Sequence, residues 1–248
     1  MNRLPIQLRR LYLPPDSPSR HPDKAWDALD LIDAHARVRA LVLEVSQAAG
    51  WSGIAALWQG LQDELGLPAP AIAASGIDGL QVWLSLAEPI PVAQAQDFLE
   101  GLRLRYLAEV AQKHVHLWPT AQAGAARHTR IVPALQEATG RWSAFVAPGL
   151  ANMFADEPWL DVPPGLDAQA HLLSDLQSIT PAEFQRAQAQ LRPADRPTAS
   201  EAAPVRVLDG TDPQRFLLSV MNDPATELHL RIEAAKALLP FFEGHRRD

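Results

Sequence analysis

The 248-residue chain contains no cysteine. That absence excludes disulfides, thiolate zinc sites and cysteine nucleophiles together. No apolar run approaches the ~20 residues that a bilayer-spanning helix needs. The opening stretch MNRLPIQLRR has no signal-peptide core, so the expectation is a cytoplasmic protein with no membrane association. A basic excess is missing too: 22 Lys and Arg stand against 29 Asp and Glu, a net charge of −7. Phosphate contacts supply most of the affinity of non-specific DNA binders, so this balance counts against a large DNA footprint and leaves room only for a local basic groove. The sequence has no glycine-rich phosphate loop, dinucleotide fingerprint or Ser-His-Asp signature.

What is present is a globular composition, 47% hydrophobic and 21% charged, with material for one large core or two small ones. The segment RRLYL reads as a short edge strand, followed by the loop PPDSPSRHPD. Asp23 can cap a helix from about Lys24 to Ala36, with Trp26, Leu29 and Ile32 on one face. RALVLEV at 39–45 reads as a buried strand. Ile54, Leu57, Trp58, Leu61 and Leu65 recur at helical spacing over 52–65, and Gly66 closes that helix. A short strand at 71–74, the turn SGIDG and the strand LQVWLSL follow. EPIPVAQAQDFLEGLRLRYLAEVA predicts a proline-started helix of five or six turns. HVHLWP, TRIVPAL and RWSAFVA read as strands and 167–177 as a helix. Thr180, Pro181 and Glu183 form a helix start at N-cap, N1 and N3. Few βαβ crossovers are implied. The expected fold is α+β, a mixed or antiparallel sheet backed by helices over residues 1–191, with a small C-terminal helical appendage.

RPADRPTASEAAP at 192–204 reads as a linker, rich in proline and charge with almost nothing to bury. Beyond it, 205–248 carries two amphipathic segments, with Phe216, Leu217, Val220 and Met221 facing Leu228, Ile232, Ala235 and Leu239. So small a unit makes a poor independent core, and it is expected to dock on the main domain or on a second copy of the chain.

The order ALVLEVS, ASGIDGLQVWLSL, HVHLWP, TRIVPAL resembles the archaeo-eukaryotic primase, or primase-polymerase, superfamily over roughly residues 35–165. That family ends its first strand in an Asp-x-Asp or Asp-x-Glu pair. It then has a Ser-Gly-x-Gly-x-His turn and strand, and a third acidic residue on a later strand. The resemblance implies two-metal catalysis, in which carboxylates hold divalent ions that bridge a triphosphate, while the histidine contacts phosphates. This chain departs from it residue by residue. Glu44 stands at the first acidic position and Ser46 at the second. Ser75, Gly76 and Gly79 match the turn, Gln81 replaces the histidine, and His116 falls at the third acidic position. One carboxylate is a weak ligand set for magnesium, and a glutamine carries no charge to a phosphate. The resemblance therefore implies a degenerate site that needs no cofactor, with Mg or Mn relevant only if activity remains. A carboxylate cluster in which Asp78 or Asp161 joined Glu44 would restore an active nucleotidyltransferase. Read without the resemblance, the same stretch is a hairpin with Gly76 and Gly79 in the turn and a half-buried strand behind it.

Other residues invite chemistry. His114 and His116 alternate on a strand with His128 close in sequence, a pattern that suits either a metal or a polar face. Arg103, Arg105, Lys113, Arg127, Arg130 and Arg141 make the middle of the chain its most basic part. A shared groove would suit a phosphate backbone; a solvated face balanced by Glu100, Glu109 and Glu137 is the alternative. Trp83, Trp118 and Trp142 could stack bases, although core packing is the commoner use. The C-terminal pattern MNDP…LRIEAAKALLP is similar to a segment of phage terminase small-subunit-like proteins and implies packing or oligomerisation. Both resemblances point to bacterial phage or plasmid DNA metabolism. The expected role is a degenerate primase-like protein that binds DNA, RNA, or a replication or phage protein partner. The alternative is a scaffold module that touches no nucleic acid.

Overall fold

The structure is a computed structural model and describes residues 3–15, 30–46, 51–122, 125–191 and 235–236. The chain divides into two compact units, Met1–Asp195 and Arg196–Asp248. In the second, residues 235–236 are described and are helical. The expected linker and the rest of 205–248 lie outside the described residues, as does most of the helix expected from Lys24. The described part of that segment, 30–36, is a turn with an isolated bridge from Ile32 to Val38, not a helix.

The first unit is α+β. Five strands form one antiparallel sheet in the order β4-β1-β3-β2-β9: β1 is Arg37–Ser46, β2 Ala71–Ala74, β3 Gly79–Pro91, β4 Val115–Trp118 and β9 Ala144–Val146. The small hairpins β5 (Thr120–Gln122) with β6 (Ala125–Arg127), and β7 (Leu135–Gln136) with β8 (Arg141–Trp142), stand outside it. Strand alternation sends Leu41, Leu43, Val82 and Leu84 to one face of the sheet. Helices α2 (Trp51–Asp63), α3 (Val92–Tyr106) and α5 (Pro181–Leu191) cover that face through Ile54, Leu57, Phe98, Leu102 and Phe184. Ala40, Val42, Trp83, Ala73 and Phe145 point the other way, against α1 (Leu4–Tyr12) and α4 (Leu166–Ser174).

Three further expected elements differ. RRLY of RRLYL belongs to helix α1 and not to a strand, with Leu13 as its extended C-cap: Leu4, Leu8, Leu11 and Tyr12 recur at helical spacing and are all buried against the sheet. TRIVPAL is largely irregular. Pro133 has no N–H to donate to a ladder, and Ile131, Val132 and Ala134 bury themselves without one. The long helix expected over 88–111 runs only over Val92–Tyr106: β3 continues to Pro91, and the backbone leaves helical geometry at Leu107.

The start of α5 follows its sequence signature. Glu183 accepts from the Thr180 backbone N–H and hydroxyl, both at 2.8 Å, and the Thr180 hydroxyl accepts from the Glu183 N–H at 3.3 Å. Thr180→Ala is expected to cost about 1 kcal/mol. A thermal melt should record that as a fall in Tm of roughly 2–4 °C, and an unchanged Tm would show that packing of Phe184 alone holds the helix.

Candidate functional site

The turn between β2 and β3 is built around its serine and glycines. The Ser75 hydroxyl accepts from the N–H groups of Ile77 and Gly79, each at 3.1 Å. Gly76 has φ +79, and a Cβ there would lie 2.8 Å from the Ser143 nitrogen. A Cβ on Gly79 would lie 2.6 Å from the Val45 carbonyl oxygen of β1. The turn therefore presses on backbone from two sides, and its glycines have a structural reason independent of any ligand.

Register brings the resemblance positions together. Glu44 lies directly opposite Gln81 on β3 and directly opposite His116 on β4. All three share the sheet face of Val42 and Trp83, and all three line one cavity of about 270 Å³ with Ser75, Asp78 and Arg130. Trp118, Val132 and Ile77 supply apolar wall, and Gln136 closes one side with its amide donating to the Ser75 carbonyl at 3.3 Å.

The floor of the cavity is a hydrogen-bonded chain. The Trp83 indole N–H donates to Gln81 Oε1 at 2.9 Å, and Gln81 Nε2 donates to Glu44 Oε2 at 2.8 Å. The indole can only donate, so it fixes the orientation of the amide and turns the NH₂ group to the carboxylate. Burial pushes the Glu44 carboxyl above the usual carboxylate range. The Gln81 hydrogen bond and nearby His116 oppose that shift, and Asp78 adds to it. Trp83 is buried, so it packs and clamps and offers no face to a base.

The remaining candidates scatter. Ser46 is opposite Gly79, and its hydroxyl is 2.9 Å from His114 Nδ1, outside the lining of the cavity. His114 and Lys113 lie in the 3-10 turn Gln112–His114 before β4, so His114 does not share the strand of His116. His128 hydrogen-bonds the Ala40 carbonyl through Nε2 at 3.0 Å. Among the described residues no group of three His, Asp or Glu side chains could hold a metal ion. Arg103 pairs with Glu100 and Arg105 with Glu64, both at 2.6 Å, on the helix layer covering the opposite sheet face from Glu44. Arg141 stacks its guanidinium 3.6 Å from the centre of the Trp159 ring. Arg130 is exposed, donates to the Leu135 carbonyl at 3.1 Å, and is the arginine that lines the cavity. Arg103, Arg130 and Arg141 thus do not form one groove. Asp78 joins Glu44 at the cavity, and Asp161 is absent from its lining. Gln136 belongs to no motif, and Thr129 opens the segment TRIVPAL without a role of its own in it, so neither carried a sequence signal; only the return of the chain past β4 brings them there.

No model of a known protein family matches the chain, and no curated protein matches it either.

Proposed function

We propose that this protein is a primase-polymerase-type module that binds nucleic acid without transferring nucleotides, in the DNA metabolism of a bacterial phage or plasmid. The observation that carries this reading is the convergence of Glu44, Gln81 and His116. They come from three separate segments, stand side by side across β3, β1 and β4, and open on a cavity that also holds Arg130. Arg130 supplies a cation for a phosphate. The chemistry of two bridged metal ions needs several carboxylates at close quarters. Here Ser46 is tied to His114, Gln81 is tied to Glu44, and His116 is no anion.

The test uses the full chain. It should bind a fluorescent single strand in a salt-dependent manner, and Arg130→Ala should weaken binding while lowering the salt slope by about 1. Primer extension with magnesium or manganese should give no incorporation. Failure to bind any strand would overturn the reading, and incorporation that vanishes in Glu44→Ala would replace it with an active nucleotidyltransferase. A second reading, a protein-binding scaffold, draws on the neutralisation of Arg103 and Arg105 by Glu100 and Glu64, which removes two cations from any phosphate track. A strand-binding assay that stays blank favours it.

A further inference from the structure

We infer that the Glu44–Gln81 pair is a recognition edge for guanine. The inference rests on the nucleic-acid reading of the same cavity and names which base enters it. Gln81 Nε2 is bonded to Glu44 Oε2, so along the pair the polar atoms run Glu44 Oε1, Glu44 Oε2, Gln81 Nε2, with Gln81 Oε1 turned away to Trp83. The two carboxylate oxygens are acceptors with spare lone pairs, and the amide has a second N–H beyond the one given to Glu44. The edge therefore reads acceptor, acceptor, donor. The Watson–Crick edge of cytosine has that same order. Its complement is donor, donor, acceptor, which among the common bases only guanine offers, through its exocyclic amine, N1–H and O6. Adenine, cytosine and uracil each lack two adjacent donors.

Three further features fit. The amide cannot turn over, because Trp83 holds Gln81 Oε1 at 2.9 Å from within the core. The cavity, at about 270 Å³, lies just under the ~300–1,000 Å³ usual for drug-sized ligands, so it suits a single splayed base and no duplex. Its apolar wall of Ile77, Trp118 and Val132 suits the face of a base, and Arg130 at the same cavity suits the attached phosphate. The metal-binding position has on this reading become a base-reading position: a carboxylate without companion carboxylates still accepts hydrogen bonds.

The test is fluorescence anisotropy with the full chain and short oligothymidylate strands carrying one central guanine, adenine, cytosine or hypoxanthine. Guanine should bind about tenfold tighter than adenine or cytosine, the discrimination of one good bidentate contact. Hypoxanthine, which lacks the exocyclic amine, should lose most of that preference, and this comparison needs no variant. Glu44→Gln replaces one acceptor with a donor and should bring the guanine strand down to the affinity of the adenine and cytosine strands. Competition by free guanosine monophosphate separates the two sources of the base. If it binds, responds to Glu44→Gln, and no strand binds, the edge reads a free nucleotide: the guanine inference stands and the strand-binding reading falls. Strands that bind with equal affinity whatever the central base would overturn the inference and leave the strand-binding reading in place. Binding of neither strand nor nucleotide overturns both.

Discussion

Trp83→Ala is expected to destabilise the first unit by about 4 kcal/mol, the range found when a large aromatic is cut from a packed core. Trp83 is among the largest fully buried side chains, and its ring meets Tyr12 edge-on at 5.2 Å and Phe145 at 5.9 Å. Removing it leaves a void between β3, α1 and β9, whose backbones are held by other contacts and cannot close it. The loss should lower Tm by on the order of 10 °C. A second effect is local. The Gln81 amide loses the donor that orients it, so the Glu44–Gln81 edge is free to invert. Trp83→Phe separates the two effects in large part, because it keeps a six-membered aromatic ring in the core while removing the N–H together with the rest of the five-membered ring. It should cost less stability and yet loosen base preference at the cavity. Chemical denaturation checks the first claim. A Trp83→Ala protein with wild-type stability would mean that the aromatic cluster adds little to the core.

Acidification should destabilise the protein through His128. Its Nε2–H donates to the Ala40 carbonyl, and its ring packs beside Trp83 with centroids 6.4 Å apart. Burial lowers its pKa from 6.5 to about 4, with the backbone hydrogen bonds opposing the shift. The folded state thus resists a proton that the unfolded chain accepts near its ordinary pKa. The stabilisation is whole above about pH 6.5 and is lost as pH falls to about 4, a difference of roughly 3 kcal/mol. The raised carboxyl of Glu44 acts in the opposite sense, since its folded form holds a proton more readily and stability falls as pH rises through its titration. The His128 contribution is therefore read from a variant compared with wild type. His128→Gln should flatten the dependence of unfolding free energy on pH between 6.5 and 4. An identical slope in both proteins would place the acid sensitivity elsewhere.

Much of the first unit was legible because its signals are local. The apolar run 39–45 lies inside β1, the spacing from Ile54 to Leu61 marks α2, and Thr180 with Glu183 marks the start of α5. Each rests on period, capping or turn chemistry within a few residues. The order of Glu44, the SGIDG turn and His116 along the chain was likewise open to reading, and so were the departures at Ser46 and Gln81. Local signal misled where apolar spacing was ambiguous: the last four residues of α1 read as part of a strand, and the helix emerges only over the full span from Leu4 to Tyr12. What only the tertiary structure decided was who meets whom. Register across β1 set Glu44 against both Gln81 and His116, because antiparallel pairing fixes opposite residues that lie far apart in sequence. The layering of α3 on one sheet face sent Arg103 and Arg105 away from that site, while the irregular return after β6 brought Arg130 to it. The sense of the Gln81 amide was decided last of all, by an indole two residues along the same strand, since sequence can place a glutamine on a face but only its hydrogen-bond partners choose which end donates.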